Sequence, residues 1–165
     1  MDNPIPANQV KMTLIADNGI NAANGGGGDF YVTRGLLAKA NDNQLRGVLA
    51  HEIAHADLGH VVHQQKVDAV LGIGSIILDQ LFPGSGQLTP IAGQFIASNY
   101  SRKDEYEADA HGVELLKRVG LNGKAIMADT LGWIAQGEGT GGGGGGFFAT
   151  HPATGDRIET VQRMK

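Results

Sequence analysis

The sequence predicts an α+β fold, with a small sheet first and helices after it. Two short segments near the N-terminus have strand-like patterns, whereas apolar residues farther along the chain recur at helical spacing. At 165 residues the chain is long enough for one domain with a sizeable core, but two independent domains would be cramped. We therefore expect residues 1–165 to form a single domain.

Two strands are predicted ahead of the helices. Residues 10–14 alternate apolar and polar side chains, which is the period of a strand with one buried face. Asp29 to Thr33 is rich in aromatic and β-branched residues, which favour strands. Asp17-Asn18-Gly19 predicts a turn between them. Asn24 to Gly28, with its run of glycines, is expected to form a loop.

A long helix follows, and its predicted N-cap is Asn41 or Asp42. Its apolar residues recur at helical spacing, so one face is expected to be buried. The same helix carries His51 and His55. The apolar positions are Leu45, Val48, Leu49 and Ile53.

Further helices are predicted in the second half of the chain. One starts near Pro90 and runs to Val119, another spans roughly residues 123–136, and a short last one follows Pro152. Residues 137–146 are almost all glycine, which has high chain entropy. We expect that segment to be a flexible surface loop.

Composition excludes several classes of function. The 13 Lys and Arg residues are outnumbered by 17 Asp and Glu residues, which gives a formal charge of −4. A dedicated nucleic-acid-binding protein normally carries a basic face, so nucleic acid is not an expected partner. The chain has no cysteine, which excludes disulfides, thiolate metal sites and a cysteine nucleophile. Any metal site must therefore use histidine and carboxylate ligands.

No targeting or membrane-spanning segment is expected. The N-terminus, Met1-Asp2-Asn3-Pro4, lacks a basic region followed by an apolar stretch, so we expect no signal peptide. The longest apolar tract, residues 67–82, is interrupted by Asp68, Asp79 and Gln80 and is too short to span a bilayer. A packed helix is expected there, and contact with a membrane surface is the alternative.

His51-Glu52-Ile53-Ala54-His55 matches the HExxH pattern of zinc hydrolases. Residues i and i+4 share one face of a helix, so both imidazoles can reach the same ion. Glu52 is rotated by about 100° from His51, beside the metal, where it can take a proton from a zinc-bound water. The alternative interpretation is a pair of surface histidines on an ordinary helix.

A catalytic zinc needs a third protein ligand. The remaining histidines and the carboxylates are all candidates, but an HExxH extension that requires histidine at position 61 fails because that residue is Val61. Glu105 and Asp109 again lie at i and i+4, so one could bind the metal while the other accepts a hydrogen bond from a ligand histidine. A solvated helix face is the alternative. We expect ordinary structural roles for His60, His63 and His111.

Three motifs together resemble the gluzincin metallopeptidases of the HtpX and CAAX-prenyl-protease type. They are the HExxH segment 51–55, the segment 101–109, and Thr150-His151-Pro152 with Arg157 and Ile158. Their order is most similar to soluble extracytoplasmic bacterial members linked to outer-membrane quality control. The chain departs from the family pattern at Asn21-Ala22-Ala23-Asn24, which runs directly into glycines.

The resemblance implies a thermolysin-like zincin core and a role for each site residue. It implies one zinc ion per chain, with Glu52 as the general base and His151 as the group that stabilises the oxyanion. Asp109 would support a ligand histidine, and Arg157 would organise this end of the site. The implied zinc ligands are His51, His55 and Glu105.

The expected activity is hydrolysis of peptide bonds in unfolded or misfolded proteins, near a membrane and outside the cytoplasm. A substrate peptide is expected to lie extended along residues 30–33, adding itself to a sheet edge. His151 has a second possible role, because it follows a glycine-rich tether and could become a fourth zinc ligand that leaves the enzyme latent. The oligomeric state is not predicted.

Two other function classes compete with a peptidase. One is a chaperone-like binding module that keeps zinc but rarely cleaves, and the other is a structural protein with a chance HExxH. The intact Glu52 argues against a pure binder, because binding needs no general base.

Overall fold

The computed structural model describes residues 5–63, 100–138, 146–149, 151 and 155–165. Within them, the N-terminal part forms a three-stranded sheet in the order β1-β3-β2. The strands are β1 (Lys11–Ile15), β2 (Ala22–Gly26) and β3 (Asp29–Thr33). β1 pairs with β3 in parallel and β2 pairs with β3 antiparallel, so β3 is the central strand. The two predicted strands and the α+β class are confirmed.

The prediction of a loop over residues 24–28 is wrong for its first half. Asn24 and Gly26 pair with β3 as part of β2, with an irregularity between them. The turn itself is Gly27-Gly28, where φ is +60° and +96°. Glycine adopts such angles without the steric cost that other residues incur, so the glycine run makes a tight hairpin instead of an open loop.

The alternation in β1 predicts a strand correctly but assigns the wrong face to the core. Val10, Met12 and Leu14 are 45%, 49% and 57% exposed, whereas Ile15 at the end of the strand is buried. β1 is an edge strand, and the core beneath the sheet is supplied by β2 and β3. Val10 and Met12 instead line an open cleft of about 580 Å³ against α2, the long helix that follows the sheet.

A short helix, α1 (Arg34–Lys39), directly follows the sheet, and the apolar pattern of the sequence does not predict it. The Thr33 side chain caps it by accepting a hydrogen bond from the Leu36 N–H. Leu36 is fully buried in the core below the sheet. This helix turns the chain toward α2.

The long helix α2 spans Asp42–Asp57, and the predicted N-cap is confirmed as Asn41. Its side chain accepts a hydrogen bond from the Gln44 N–H, and the Gln44 side chain accepts one from the Asn41 N–H, which forms a capping box. The apolar face is as predicted at Val48, but Ile53 is 40% exposed. Ile53 lines the cleft beside β1, where no helix covers it within the described residues.

Helix α3 spans Arg102–Arg118 and begins later than predicted. Ser101 has extended backbone angles, and its side chain caps the helix by accepting from the Asp104 N–H. A helix running continuously from Pro90 is therefore wrong. The predicted packing of residues 67–82 lies outside the described residues. Among those described, no helix is long and apolar enough to cross a membrane.

The remaining helices are α4 (Gly123–Glu138) and α5 (Asp156–Arg163). Both were predicted, although α4 extends past Gln136, so position 137 is helical and not part of a loop. Residues 139–145 of the predicted glycine-rich loop lie outside the described residues. A turn of 3₁₀ helix at Phe147–Ala149 precedes His151.

Helices α2 and α3 cross closely because small residues lie at the contact. A Cβ on Gly112 of α3 would lie 3.3 Å from the backbone of Ala50 on α2. On the other side of α2, a Cβ on Gly47 would lie 2.1 Å from the Thr130 Oγ1 of α4. This crossing brings the HExxH face of α2 against the acidic first turns of α3.

Candidate metal centre

The crossing of α2 and α3 buries four side chains that were predicted to belong to one site. His51 and His55 project from α2, and Glu105 and Asp109 project from α3. Each is at most 1% exposed. Charged and polar groups are buried this completely only when they are paired or bind a ligand.

Three of the buried donors are spaced as metal ligands. His51 Nε2 lies 3.0 Å from His55 Nε2 and 3.4 Å from a carboxylate oxygen of Glu105, and His55 Nε2 lies 3.3 Å from its other oxygen. Ligands placed tetrahedrally around zinc, at 2.0–2.1 Å from it, are separated by about 3.4 Å. The donor set and its spacing therefore fit a zinc ion.

His151 supplies a fourth donor at the same place. Its Nδ1 lies 3.3 Å from His51 Nε2 and 3.0 Å from Glu105 Oε1. These four donor atoms all lie within 4.8 Å of one another. The His151 ring stacks on Phe147, with centroids 4.2 Å apart and an interplanar angle of 11°, so the 3₁₀ turn positions it.

Glu52 lies beside the donors and not among them. It is 1% exposed, and its Oε1 is 3.2 Å from the Nε2 of His151. Burial opposes ionisation of this carboxyl, but the neighbouring positive charge of His151 outweighs burial and lowers the pKa of Glu52. Glu52 is therefore held ionised, as a proton acceptor must be.

The second nitrogen of His51 is fixed by Asp109. His51 Nδ1 lies 2.9 Å from Asp109 Oδ1, so the carboxylate favours a proton on Nδ1 and leaves Nε2 free to bind a metal. Arg157 of α5 donates to both oxygens of Asp109 at 2.8 Å, and its Nη1 forms an ion pair with Glu105 Oε2 at 2.6 Å. The guanidinium thus compensates the charge of both buried carboxylates.

The second nitrogen of His55 meets a residue that the sequence patterns do not single out. His55 Nδ1 lies 2.9 Å from Nδ1 of His60, which follows a turn at Gly59 with φ +70°. The His55 ring also stacks on the Tyr100 ring, with the ring centroids 3.8 Å apart. Residues five apart do not share a helix face, so the sequence pattern does not indicate that His55 and His60 are neighbours. The turn between them brings the two rings together.

The pKa values of the buried site residues are shifted in different directions. Burial lowers the pKa of His55 to about 3, so its imidazole is neutral. Burial also disfavours the charged form of His151, but Glu105 and Glu52 outweigh it and raise the pKa of His151 to about 9. Burial opposes ionisation of Glu105 too, yet the charges of His151 and His51 hold the pKa of that carboxyl well below its usual range.

The other predicted site features are placed as follows. His111 lies 3.1 Å from Asp57 and links α3 to the end of α2, away from the donors. His63 is exposed. The prediction that a peptide adds to the sheet beside residues 30–33 is wrong, because both edges of β3 are already paired.

Comparisons with known proteins identify a family for the whole chain. The model of Peptidase family M48 matches residues 3–165. Metalloprotease YcaL of Escherichia coli strain K12 is 28% identical over 98% of this chain, and the Persephonella marina protease HtpX homolog is 29% identical over 81%. The beta-barrel assembly-enhancing protease of E. coli O157:H7 is 30% identical over 73% of the chain. The chain spans 65%, 59% and 28% of the lengths of these three relatives.

Proposed function

Because this chain belongs to peptidase family M48, we propose that it is a zinc-dependent endopeptidase. The observation that carries the proposal is the set of mutually close donors contributed by α2 and α3. Their spacing fits one ion, and the adjoining carboxylate of Glu52 is held ionised. We further propose the thermolysin-like zincin core that the HExxH helix and the glutamate on a second helix imply.

We assign His51, His55 and Glu105 as the zinc ligands. Two neutral imidazoles and one carboxylate are a donor set that suits zinc, and they are also typical of catalytic zinc sites. A bound zinc would polarise the scissile carbonyl and make water a better nucleophile near neutral pH. Asp109, itself held by Arg157, keeps the His51 ring oriented for binding.

Glu52 acts as the general base in this proposal. Its ionised carboxylate accepts a proton from the attacking water and later gives it to the leaving amine. Asn24 of β2 donates to the backbone carbonyl of Glu52 at 3.3 Å and so ties the sheet to the catalytic turn of the helix.

We propose that the arrangement described here is a latent state held by His151. Two observations support this: His151 Nδ1 completes the four-donor set, and its Nε2 lies next to the base Glu52. A site with four protein ligands has no position for substrate. Withdrawal of His151 would open the site and free Glu52, and stabilisation of the oxyanion by this imidazole is the competing proposal for its role.

A substrate peptide would bind beside β2 in this proposal. Within the described residues β2 pairs only with β3, so its other edge can accept a strand. β2 packs against α2 and is joined to it through Asn24, whereas β1 forms the opposite edge of the sheet. Recognition through backbone hydrogen bonds would give broad tolerance of sequence.

We infer unfolded or misfolded proteins as substrates, in a compartment outside the cytoplasm and near the outer membrane. The support is the similarity to a relative whose name specifies β-barrel assembly. The competing function is a zinc-binding module without cleavage. The buried, ionised Glu52 disfavours it, since an unused charge in that position would only destabilise the fold.

The test combines metal analysis with cleavage of an unfolded protein such as casein. Cleavage is compared between His151→Ala and the double variant that adds Glu52→Gln, so that latency does not mask the result. We expect one zinc per chain in both and a loss of cleavage of about 10²-fold or more in the double variant. Glu114→Gln, an exposed change on α3, is the control. Zinc bound with equal cleavage in both variants would favour the binding module.

A further inference from the structure

We propose that His60 is a positioning residue that fixes the tautomer of the metal ligand His55. This inference rests on the proposed function, because it concerns how His60 prepares the zinc ligand His55. It assigns a role to a histidine that lies outside the HExxH motif and outside the acidic segment of α3.

The first step is the contact between two buried imidazoles. The Nδ1 atoms of His55 and His60 are 2.9 Å apart, which is a hydrogen-bond distance. His55 is completely buried and His60 is 8% exposed, so water does not compete freely for either ring. One of the two nitrogens must carry the shared proton, and the other must accept it.

The second step is the demand that the metal makes on His55. Its Nε2 faces His51 Nε2 and Glu105, so that nitrogen is the one available to zinc and must be unprotonated. The proton of the neutral His55 ring is then on Nδ1 and is donated to His60. His60 in turn must be unprotonated at Nδ1 and carry its own proton on Nε2.

The third step is that the surroundings of His60 favour that same tautomer. Its Nε2 lies 3.4 Å from Glu107 Oε2 and 3.9 Å from Asp104 Oδ1. Both groups are hydrogen-bond acceptors when ionised, so they stabilise a proton on Nε2. The hydrogen bond between the two rings therefore runs from His55 to His60, whose Nε2 faces the carboxylates at the start of α3.

The two ligand histidines are consequently prepared in different ways. His51 Nδ1 lies against the carboxylate of Asp109, whereas His55 Nδ1 lies against the imidazole of His60. A partner at the second nitrogen orients the ring and selects the tautomer, and its loss typically weakens metal affinity by about 10–100-fold. We expect that dependence for His60.

The experiment measures zinc affinity by competition with a chromophoric chelator. His60→Leu fills the space but cannot accept a hydrogen bond, whereas the Oδ1 of His60→Asn can take the place of Nδ1. We expect zinc affinity to fall by about 10–100-fold in His60→Leu and to remain within a few fold in His60→Asn. The control is His111→Leu, which removes a histidine of similar burial whose Nε2 lies 3.1 Å from Asp57. It should leave zinc affinity unchanged.

Wild-type affinity in His60→Leu would overturn the inference, and so would a loss of equal size in His60→Asn. A second measurement needs no variant: ¹⁵N NMR of the zinc-loaded wild-type protein should find His60 in the Nε2–H form. The Nδ1–H form would also overturn the inference. If the wild-type protein itself binds no zinc, the proposed function fails. Equal zinc binding by wild type and His60→Leu would refute only the role of His60.

Discussion

Arg157 donates to both carboxylate oxygens of Asp109, with Nε–Oδ2 and Nη2–Oδ1 distances of 2.8 Å. Arg157 and Asp109 are each 1% exposed, and the same guanidinium contacts Glu105. The last helix, α5, is thereby connected to two residues of the metal centre through one side chain. A bidentate arginine–carboxylate pair gives both charge compensation and a fixed geometry.

The first prediction follows from this pair. Arg157→Met should destabilise the metal-free protein by about 3–5 kcal/mol, because it removes the bidentate partner of buried Asp109 and one of the positive charges beside buried Glu105. Thermal unfolding measures the effect. Arg163→Met on the same helix is the control, because that side chain is 76% exposed, and its change should stay within about 0.5 kcal/mol. Equal effects of the two substitutions would contradict the interpretation.

The second prediction concerns latency. His151→Ala should increase the rate of casein cleavage, because it removes the fourth donor and frees Glu52. If His151 served only the oxyanion, the same change would lower the rate by about 10²–10³-fold. His63→Ala, an exposed histidine, is the control for loss of an imidazole. An unchanged or lower rate would count against self-inhibition.

The third prediction compares two glycines in helices. Gly47→Ala should destabilise the protein by about 1–3 kcal/mol, because the added Cβ would lie 2.1 Å from Thr130 Oγ1. Gly132→Ala meets nothing within 4 Å and should stabilise the protein by about 0.5–1 kcal/mol through helix propensity. Chemical denaturation of both variants measures the difference. A gain in stability from Gly47→Ala would show that α2 and α4 can separate at little cost.

The fourth prediction is a pH dependence of the metal-free protein. Burial opposes protonation of His151, but Glu105 and Glu52 raise its pKa to about 9, above the ordinary value of 6.5. Its charge therefore contributes stability that is fully present below pH 6.5 and is lost as the pH rises toward 9. His51, whose pKa is raised despite burial, acts in the same direction.

Differential scanning fluorimetry across this range should show a falling Tm for the metal-free wild type. The slope should be smaller in His151→Gln. It should also be smaller in the zinc-loaded protein, where the metal replaces the proton on the ligands. A Tm that rises from pH 6.5 to pH 9 in the metal-free wild type would refute the assignment.

The sequence predicts the helices of this protein better than its sheet. Asn41 predicts the start of α2, because the preference of its side chain for the helix N-cap can be recognised from the local sequence. The glycine run at 25–28 does not predict a hairpin, because glycine is compatible with a loop, a strand or a turn. Alternation in β1 gives the period of a strand but not which of its faces the rest of the chain covers.

The site shows the same division. His51, Glu52 and His55 are recognisable because one helix sets their spacing. Glu105 and Asp109 share a helix face, but only the crossing of α2 with α3 brings that face to the histidines. The contact between His60 and His55 was missed because a turn, and not a repeating element, creates it.

The close crossing of α2 and α3 also limits how this centre could be transferred or redesigned. The backbones approach because Gly112 and Ala50 are small, so a bulkier side chain at either position would spread the donors apart. Grafting the ligand residues alone onto another pair of helices would therefore reproduce their identities but not their distances. A successful graft must carry the small contact residues along with the ligands, as one unit.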